Sequence, residues 1–282
     1  MKNPLSPMNA LFLLQPSLII LLASAALTAK SGPGEERTAS GDAISRPVKL
    51  SILYDNYPSN PGLKTDWGFS CLIEGPEKTI LFDTGGDGAV LLSNAKLLGA
   101  DLSKVELIVL SHNHWDHKGG IDEVLGLARG IPVYVPESAH ADLKTGIEAA
   151  GGSAVPVLKP LRLSEGVYST GEISGPVNEQ SLVLVTKKGL VVITGCSHPG
   201  IDRILDTVRS QFSGTIHLVF GGFHLLSHNE TDLNAVLDRL VALDVRRWGP
   251  THCTGGAAIL KFHDRFHERV ERIGAGKIIE IE

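Results

Sequence analysis

The sequence contains few cysteines and no long run of one charge sign. Its three cysteines, Cys71, Cys196 and Cys253, have unrelated spacings. An odd number of scattered thiols indicates neither a disulfide framework nor a CxxC zinc knuckle. The 26 basic and 31 acidic residues give a net charge of −5 and are interspersed. The basic footprint of a nucleic-acid binder is therefore missing, and we expect no nucleic-acid partner.

The N-terminal region differs from the rest of the chain. Lys2 precedes the apolar stretch "ALFLLQPSLIILLASAALTA", which ends in small residues. This pattern is typical of an export signal. We therefore expect residues 1–29 to be a signal peptide and the protein to be periplasmic or secreted. The alternative is an uncleaved N-terminal membrane anchor, because the stretch approaches the length of a spanning helix. Residues 30–47 have the polar, Gly- and Ser-rich composition of a flexible linker, and residues 48–282 are predicted to fold.

Strand-like and helix-like patterns alternate within residues 48–282. Short β-rich runs such as "KTILFDTG" and "TIHLVFGG" end in Gly, Pro, Asn or Asp. Between them, "GIDRILDTVRSQF", "LNAVLDRLVAL" and "AAILKFHDRFHERVERI" carry apolar residues at helical spacing. This mixture predicts an α/β sandwich with sheets inside and helices outside.

The stretch "SHNHWDHKGG" concentrates ligand-type side chains directly after the apolar run "VELIVL". A loop leaving a strand can turn His112, His114, Asp116 and His117 toward one point. Imidazoles with one carboxylate suit a borderline divalent ion such as zinc or iron. The pattern therefore predicts a metal site at the end of a buried strand.

These motifs resemble those of the metallo-β-lactamase superfamily. The resemblance rests on the motif "HNHWDH" and on "LFDTGG", which lies some thirty residues upstream. The short motifs "TGCSH", "GGFH" and "HCTG" are similar to motifs of one branch of this superfamily. That branch contains the dihydropterin-methyl-aminobenzene ribofuranosyl phosphate synthases. The resemblance implies a four-layer αβ/βα sandwich over nearly all of the chain from about residue 48, with one or two metal ions at the sheet edge.

The resemblance also implies roles for the motif residues. His112 and His114 would hold one metal, and Asp116 and His117 would hold or orient a second, about 3.5–4 Å away in two-metal sites. Asp83 would support the ligand loop by hydrogen bonds without binding metal. The expected cofactor is one or two zinc ions, with iron or manganese as alternatives.

The run "VVITGCSHPG" departs from the common superfamily pattern. Cys196 stands where an aspartate usually bridges two metals, so either its thiolate binds metal or it packs while His198 supplies the ligand. The superfamily's usual separate histidine before this strand is replaced by Glu179 and Gln180. These departures leave the number of ions open.

Two further histidines occur at predicted strand ends. His252 matches the last superfamily motif, which normally supplies a ligand of the second metal. His224 falls one strand earlier, where superfamily phosphodiesterases have a histidine that acts on the leaving group; a ligand role is the alternative. Asp116 and His224 are the expected catalytic residues.

The expected function is that of a metal-dependent hydrolase, in which metal-activated hydroxide attacks an ester or phosphoester of a small molecule. One alternative is a synthase that transfers a pterin-methyl group and releases pyrophosphate. Another is a metal-dependent binding protein without turnover.

Overall fold

The computed structural model describes residues 43–282. The predicted signal or anchor at 1–29 lies outside the described residues, as does most of the predicted linker. Ile44 lies within that linker segment, yet it is buried and donates its backbone N–H to Val185 at 2.8 Å. The packed domain therefore includes residues a few positions before Val48. No helix within residues 43–282 is long and apolar enough to span a membrane.

Two sheets form the centre of the domain. The first has strand order β13-β1-β2-β3-β4-β5-β6, and the second has β12-β11-β10-β9-β8-β7. The strands of the first sheet are β1 Val48–Tyr54, β2 Ser70–Glu74, β3 Thr79–Phe82, β4 Leu107–Val109, β5 Pro132–Pro136, β6 Ser153–Val157 and β13 Ile278–Ile281. Those of the second are β7 Leu161–Ser164, β8 Val167–Ser169, β9 Leu182–Thr186, β10 Gly189–Thr194, β11 Ile216–Gly222 and β12 Arg247–Thr251.

Helices cover the outer face of each sheet. The helices on the first sheet are α1 Gly88–Leu97, α3 Ile121–Leu127 and α4 Ala141–Ala149, whose apolar faces share one core cluster. Those on the second are α5 Ile201–Gln211, α6 Glu230–Val241 and α7 Gly256–Phe266. A separate cluster, which includes Ile52, Phe82, Val191 and Phe220, fills the space between the sheets. These four layers confirm the predicted αβ/βα sandwich.

The topology brings the ends of several central strands to one edge. β3 and β4 are parallel neighbours in the first sheet, and β10, β11 and β12 are parallel neighbours in the second. Parallel strands end at the same edge, so the loops that follow them meet there. One of these loops contains the short helix α2, Trp115–Lys118. All the predicted site residues lie in or directly after these strands.

Candidate metal centre

The loop between β4 and α2 carries the first ligand-type residues. His112 and His114 lie in the loop, and α2 adds Asp116 and His117 on its buried side. Nε2 of His112 lies 3.0 Å from Nδ1 of His114. One helical turn after an extended loop thus buries His112, Asp116 and His117, while the His114 ring stays partly exposed beside His112.

The first group of candidate ligands consists of His112, His114 and His198. One ring nitrogen from each lies within 4.8 Å of the others. Nε2 of His198 is buried and has no hydrogen-bond partner. A buried imidazole nitrogen without a partner is costly unless it binds something, so this atom fits a metal ligand.

The second group consists of Asp116, His117, Cys196 and His252, all of which are buried. Sγ of Cys196 lies 3.1 Å from Nε2 of His117 and 3.4 Å from Nε2 of His252. Oδ2 of Asp116 lies 3.4 Å from Nε2 of His252. Cys196 also lies beside His198 and His224 in a third overlapping combination of possible ligands. The thiol is therefore placed between the two histidine groups.

Three of these histidines are oriented by a partner on the opposite ring nitrogen. Oδ2 of Asp83 lies 2.7 Å from Nδ1 of His117, and Oγ of Ser111 lies 2.9 Å from Nδ1 of His112. Asn56 accepts from Nδ1 of His252 at 2.9 Å, and the same oxygen accepts from the Gly68 N–H, which fixes its amide orientation. Such partners orient metal-binding imidazoles and select their tautomer.

Buried carboxyl groups around the two groups of candidate ligands fit bound cations. Those near the site belong to Asp55, Asp83, Asp116 and Glu179. No lysine or arginine is buried anywhere in residues 43–282. Burial raises the pKa of Asp55 to about 6 and that of Glu179 to about 7, and divalent metal ions beside these groups would favour their charged forms. Imidazole, carboxylate and thiolate together suit a borderline ion such as zinc.

The local environment sets different protonation states for the histidines. Burial, followed by the nearby His224 and His114, lowers the pKa of His198 to about 3. Burial would also lower the pKa of His117, but Asp83 and Asp116 outweigh it and raise that pKa to about 9. His198 is therefore neutral and has a free lone pair, whereas His117 must release a proton before Nε2 can bind metal.

His224 lies at the open side of the first group. Its ring centroid is 4.1 Å from that of His198, and its side chain is exposed. A hydrogen bond with Cys253 raises the pKa of His224, although burial opposes the shift. An exposed imidazole beside the ligands can exchange protons with a bound molecule.

Strained backbone is concentrated at the same edge. Six non-glycine residues of the described chain have positive φ, and four of them, Asp83, Ser197, His224 and His252, belong to the site. Such conformations cost of order 1–3 kcal/mol each and persist where surrounding contacts enforce them. At Asp83, His224 and His252 these conformations accompany side chains that reach the site, whereas the Ser197 hydroxyl donates to the Gly222 carbonyl.

The structure brings together every residue that the sequence proposed for the site. It also adds Asn56, Ser111 and Glu179, which have no recognisable motif of their own. Glu179 is the residue found in place of the expected histidine, and it is fully buried behind Cys196. The other five histidines belong to none of the candidate metal groups among the described residues: His140, His217, His228, His263 and His267.

Comparison with known proteins agrees with this geometry. The family profile of the metallo-beta-lactamase superfamily matches residues 68–252. The chain belongs to this superfamily. It is 32% identical to a 7,8-dihydropterin-6-methyl-4-(beta-D-ribofuranosyl)-aminobenzene-5'-phosphate synthase of Methanocaldococcus jannaschii, over 83% of this chain and 96% of the relative.

Solved structures show the same fold. Tm1679, described as a metal-dependent hydrolase of the beta-lactamase superfamily, is 29% identical with a TM-score of 0.72, covering 83% of this chain and 99% of that chain. The metallo-beta-lactamase fold protein YhfI from Bacillus subtilis is 15% identical with a TM-score of 0.62, covering 83% and 100%. The similarity to YhfI shows the shared fold alone.

Proposed function

We propose that this protein is a metal-dependent hydrolase acting on an ester or phosphoester bond of a small molecule. The observation that carries the proposal is the convergence of two ligand groups on Cys196, amid buried carboxylates without a buried lysine or arginine. The 29% identical relative described as a metal-dependent hydrolase supports it. Divalent ions in such a centre would activate water and polarise the scissile bond.

The protein's own residues would have distinct tasks. His112, His114 and His198 would hold one ion, and Asp116, His117 and His252 would hold a second, with Cys196 between them. His224 is the proposed proton donor to the leaving group, because its ring is exposed and adjoins His198. General acid catalysis of this kind contributes roughly 10²- to 10⁴-fold to a rate.

His224→Asn tests the proposal. The purified protein is stripped, reloaded with zinc or manganese, and screened against phosphomonoesters, phosphodiesters, lactones and β-lactams. We expect His224→Asn to keep its metal and to lose about 10²-fold or more in kcat, mainly on substrates with poor leaving groups. His228→Asn is the matched control, because His228 is exposed and belongs to none of the ligand groups.

Two other results would change the assignment. Metal loss in His224→Asn would make His224 a ligand, as the third ligand combination allows. A metal-loaded wild type without any turnover in the screen would refute the hydrolase and favour a binding protein.

A synthase reaction is the second candidate, because the 32% identical relative is named as a synthase and is matched over 96% of its length. The test supplies a dihydropterin-methyl diphosphate and an aminobenzene ribofuranosyl phosphate and measures pyrophosphate and the joined product. We also propose export, supported by the apolar pattern of residues 1–29. Export would favour hydrolysis over a biosynthetic reaction of the cytosol, and N-terminal sequencing of the native protein tests it.

A further inference from the structure

Glu179 is a buried carboxylate with no part in the proposed reaction. It lies in the loop before β9, where its backbone pairs with Ile173. Its Oε1 accepts from the backbone N–H groups of Cys196 at 2.8 Å and Ser197 at 2.9 Å. Its Oε2 accepts from the N–H of His198 at 2.9 Å. One carboxylate therefore binds three consecutive amides of the loop that carries two candidate ligands.

The shape of this loop explains why three amides meet one side chain. Ser197 has φ 64°, in the left-handed region, and its Oγ donates to the Gly222 carbonyl at 2.6 Å. A left-handed residue within a turn directs successive N–H groups into a concavity that binds anions. Without an acceptor, each buried N–H would cost about 1–3 kcal/mol. The loop conformation thus depends on an anion at this position.

We propose that Glu179 is a positioning residue of the metal centre, which binds the 196–198 loop as its internal anion and thereby aims Cys196 and His198 at the metals. This inference rests on the metal centre of the proposed function. Because Glu179 holds the loop by its backbone, the buried Nε2 of His198 keeps its orientation without a hydrogen bond from the protein and stays available to a metal ion.

A glutamine cannot replace the carboxylate at this position. If the amide oxygen of Glu179→Gln takes the place of Oε1, its NH2 group faces the N–H of His198, and two donors meet. If the amide is turned, the NH2 group faces the N–H groups of Cys196 and Ser197 instead. The substitution therefore keeps the side-chain volume but releases part of the loop in either orientation.

Cobalt(II) titration of metal-free protein tests the proposal, because cobalt reports each site by its absorption. We expect Glu179→Gln to bind cobalt roughly 10- to 100-fold more weakly at the His198 site and to alter the thiolate-to-cobalt band of Cys196. Glu179→Asp keeps the charge on a shorter arm and should fall between wild type and Glu179→Gln.

Glu77→Gln is the control, because Glu77 also holds a loop, through the Ser164 hydroxyl and the Glu165 N–H, and belongs to none of the candidate ligand groups among the described residues. It should bind cobalt as wild type does. Urea unfolding of each metal-free variant shows whether the fold survives.

Each outcome decides the inference. Wild-type affinity and spectrum in Glu179→Gln would overturn it. Loss of the metal-free fold in both Glu179 variants would also overturn it, because Glu179 would then support the whole domain. A wild type that binds cobalt but hydrolyses nothing would refute the proposed hydrolase and leave this inference standing, whereas a wild type that binds no cobalt would refute both.

Discussion

Replacing Asp83 by asparagine should weaken metal binding by changing a histidine tautomer. Asp83 is fully buried and accepts from the N–H and the Oγ–H of Ser111, both at 2.7 Å, and from Nδ1 of His117 at 2.7 Å. Asparagine can keep the bond from the Ser111 N–H only by turning its NH2 group toward His117. Nδ1 must then accept, which moves the proton to Nε2, the atom that faces Cys196.

The size of the effect follows from this geometry. A hydrogen bond to a charged group contributes about 1.5–3 kcal/mol, and Asp83→Asn loses the charge-assisted bond to His117. We expect the free energy of unfolding of the metal-free protein to fall by roughly 2–3 kcal/mol. Disturbing the partner of a ligating histidine typically costs 10- to 100-fold in metal affinity. Urea unfolding measures the first effect, and zinc competition with a chromophoric chelator measures the second.

Asp87→Asn is the control. Asp87 accepts from the N–H groups of Ala89 and Val90 at the start of α1, and it belongs to none of the candidate ligand groups among the described residues. Asparagine keeps an oxygen acceptor and is also favoured at the start of a helix. Zinc affinity in Asp87→Asn should stay within about threefold of wild type, a change of less than about 1 kcal/mol. Equal zinc affinities for Asp83→Asn and Asp87→Asn would refute the tautomer argument.

Two further predictions concern protons and thiols. Raising the pH from 6.5 through about 9 should destabilise the metal-free protein, because the folded-state pKa of His117 lies above its ordinary value of 6.5. The stabilising contribution of His117 is full below pH 6.5 and lost above pH 9. In urea unfolding across this range, the free energy of unfolding should fall less steeply with pH in His117→Asn than in wild type. Equal pH dependence in the two proteins would contradict the prediction. Cys196→Ser should lower the metal content measured by mass spectrometry. Cys71→Ser, which changes a buried thiol of β2, should not lower it. Unchanged metal content in both variants would show that Cys196 only packs and does not bind metal.

The sequence predicted the central strands well and the sheet edges poorly. Continuous apolar runs identify β4, β9, β10 and β11, which are buried on both faces. Four strands were not predicted: β6, β7 and β13, which lie at sheet edges, and β8, which has only three residues. Pro156 breaks the β-rich pattern of β6, the first two of the four residues of β7 are exposed, and β13 exposes alternate residues over only four positions. Edge strands tolerate proline and polar residues, so their composition carries little signal.

Helix prediction failed where the burial pattern is weak. Helix α4 was missed because only Leu143 and Ile147 of its nine residues are buried. The last predicted helix, "AAILKFHDRFHERVERI", continues too far, since α7 ends at Phe266 and His267 adopts φ 52°. A left-handed residue ends a helix, and histidine gives no local indication that it will adopt this conformation.

The candidate site also contains residues that the sequence predicts and residues that it does not. His112, His114, Asp116 and His117 were predictable because they occupy one short motif. Their supporting residues come from distant parts of the chain: Asn56 contacts His252 across 196 positions, and Glu179 reaches Cys196 across 17. A single asparagine or glutamate has no spacing that identifies such a role. Only the tertiary fold brings these side chains to the ligands.

One departure from the superfamily pattern, the missing histidine before β9, is accompanied by a histidine elsewhere in the site. The usual histidine before β9 is replaced by Glu179, and a histidine occurs instead at position 198, two residues after Cys196. His198 joins His112 and His114 in the first ligand group. Glu179 remains beside this group and accepts from the His198 N–H. With the roles proposed above, the segment before β9 would hold the loop that supplies a ligand, and His198 would complete a three-histidine group.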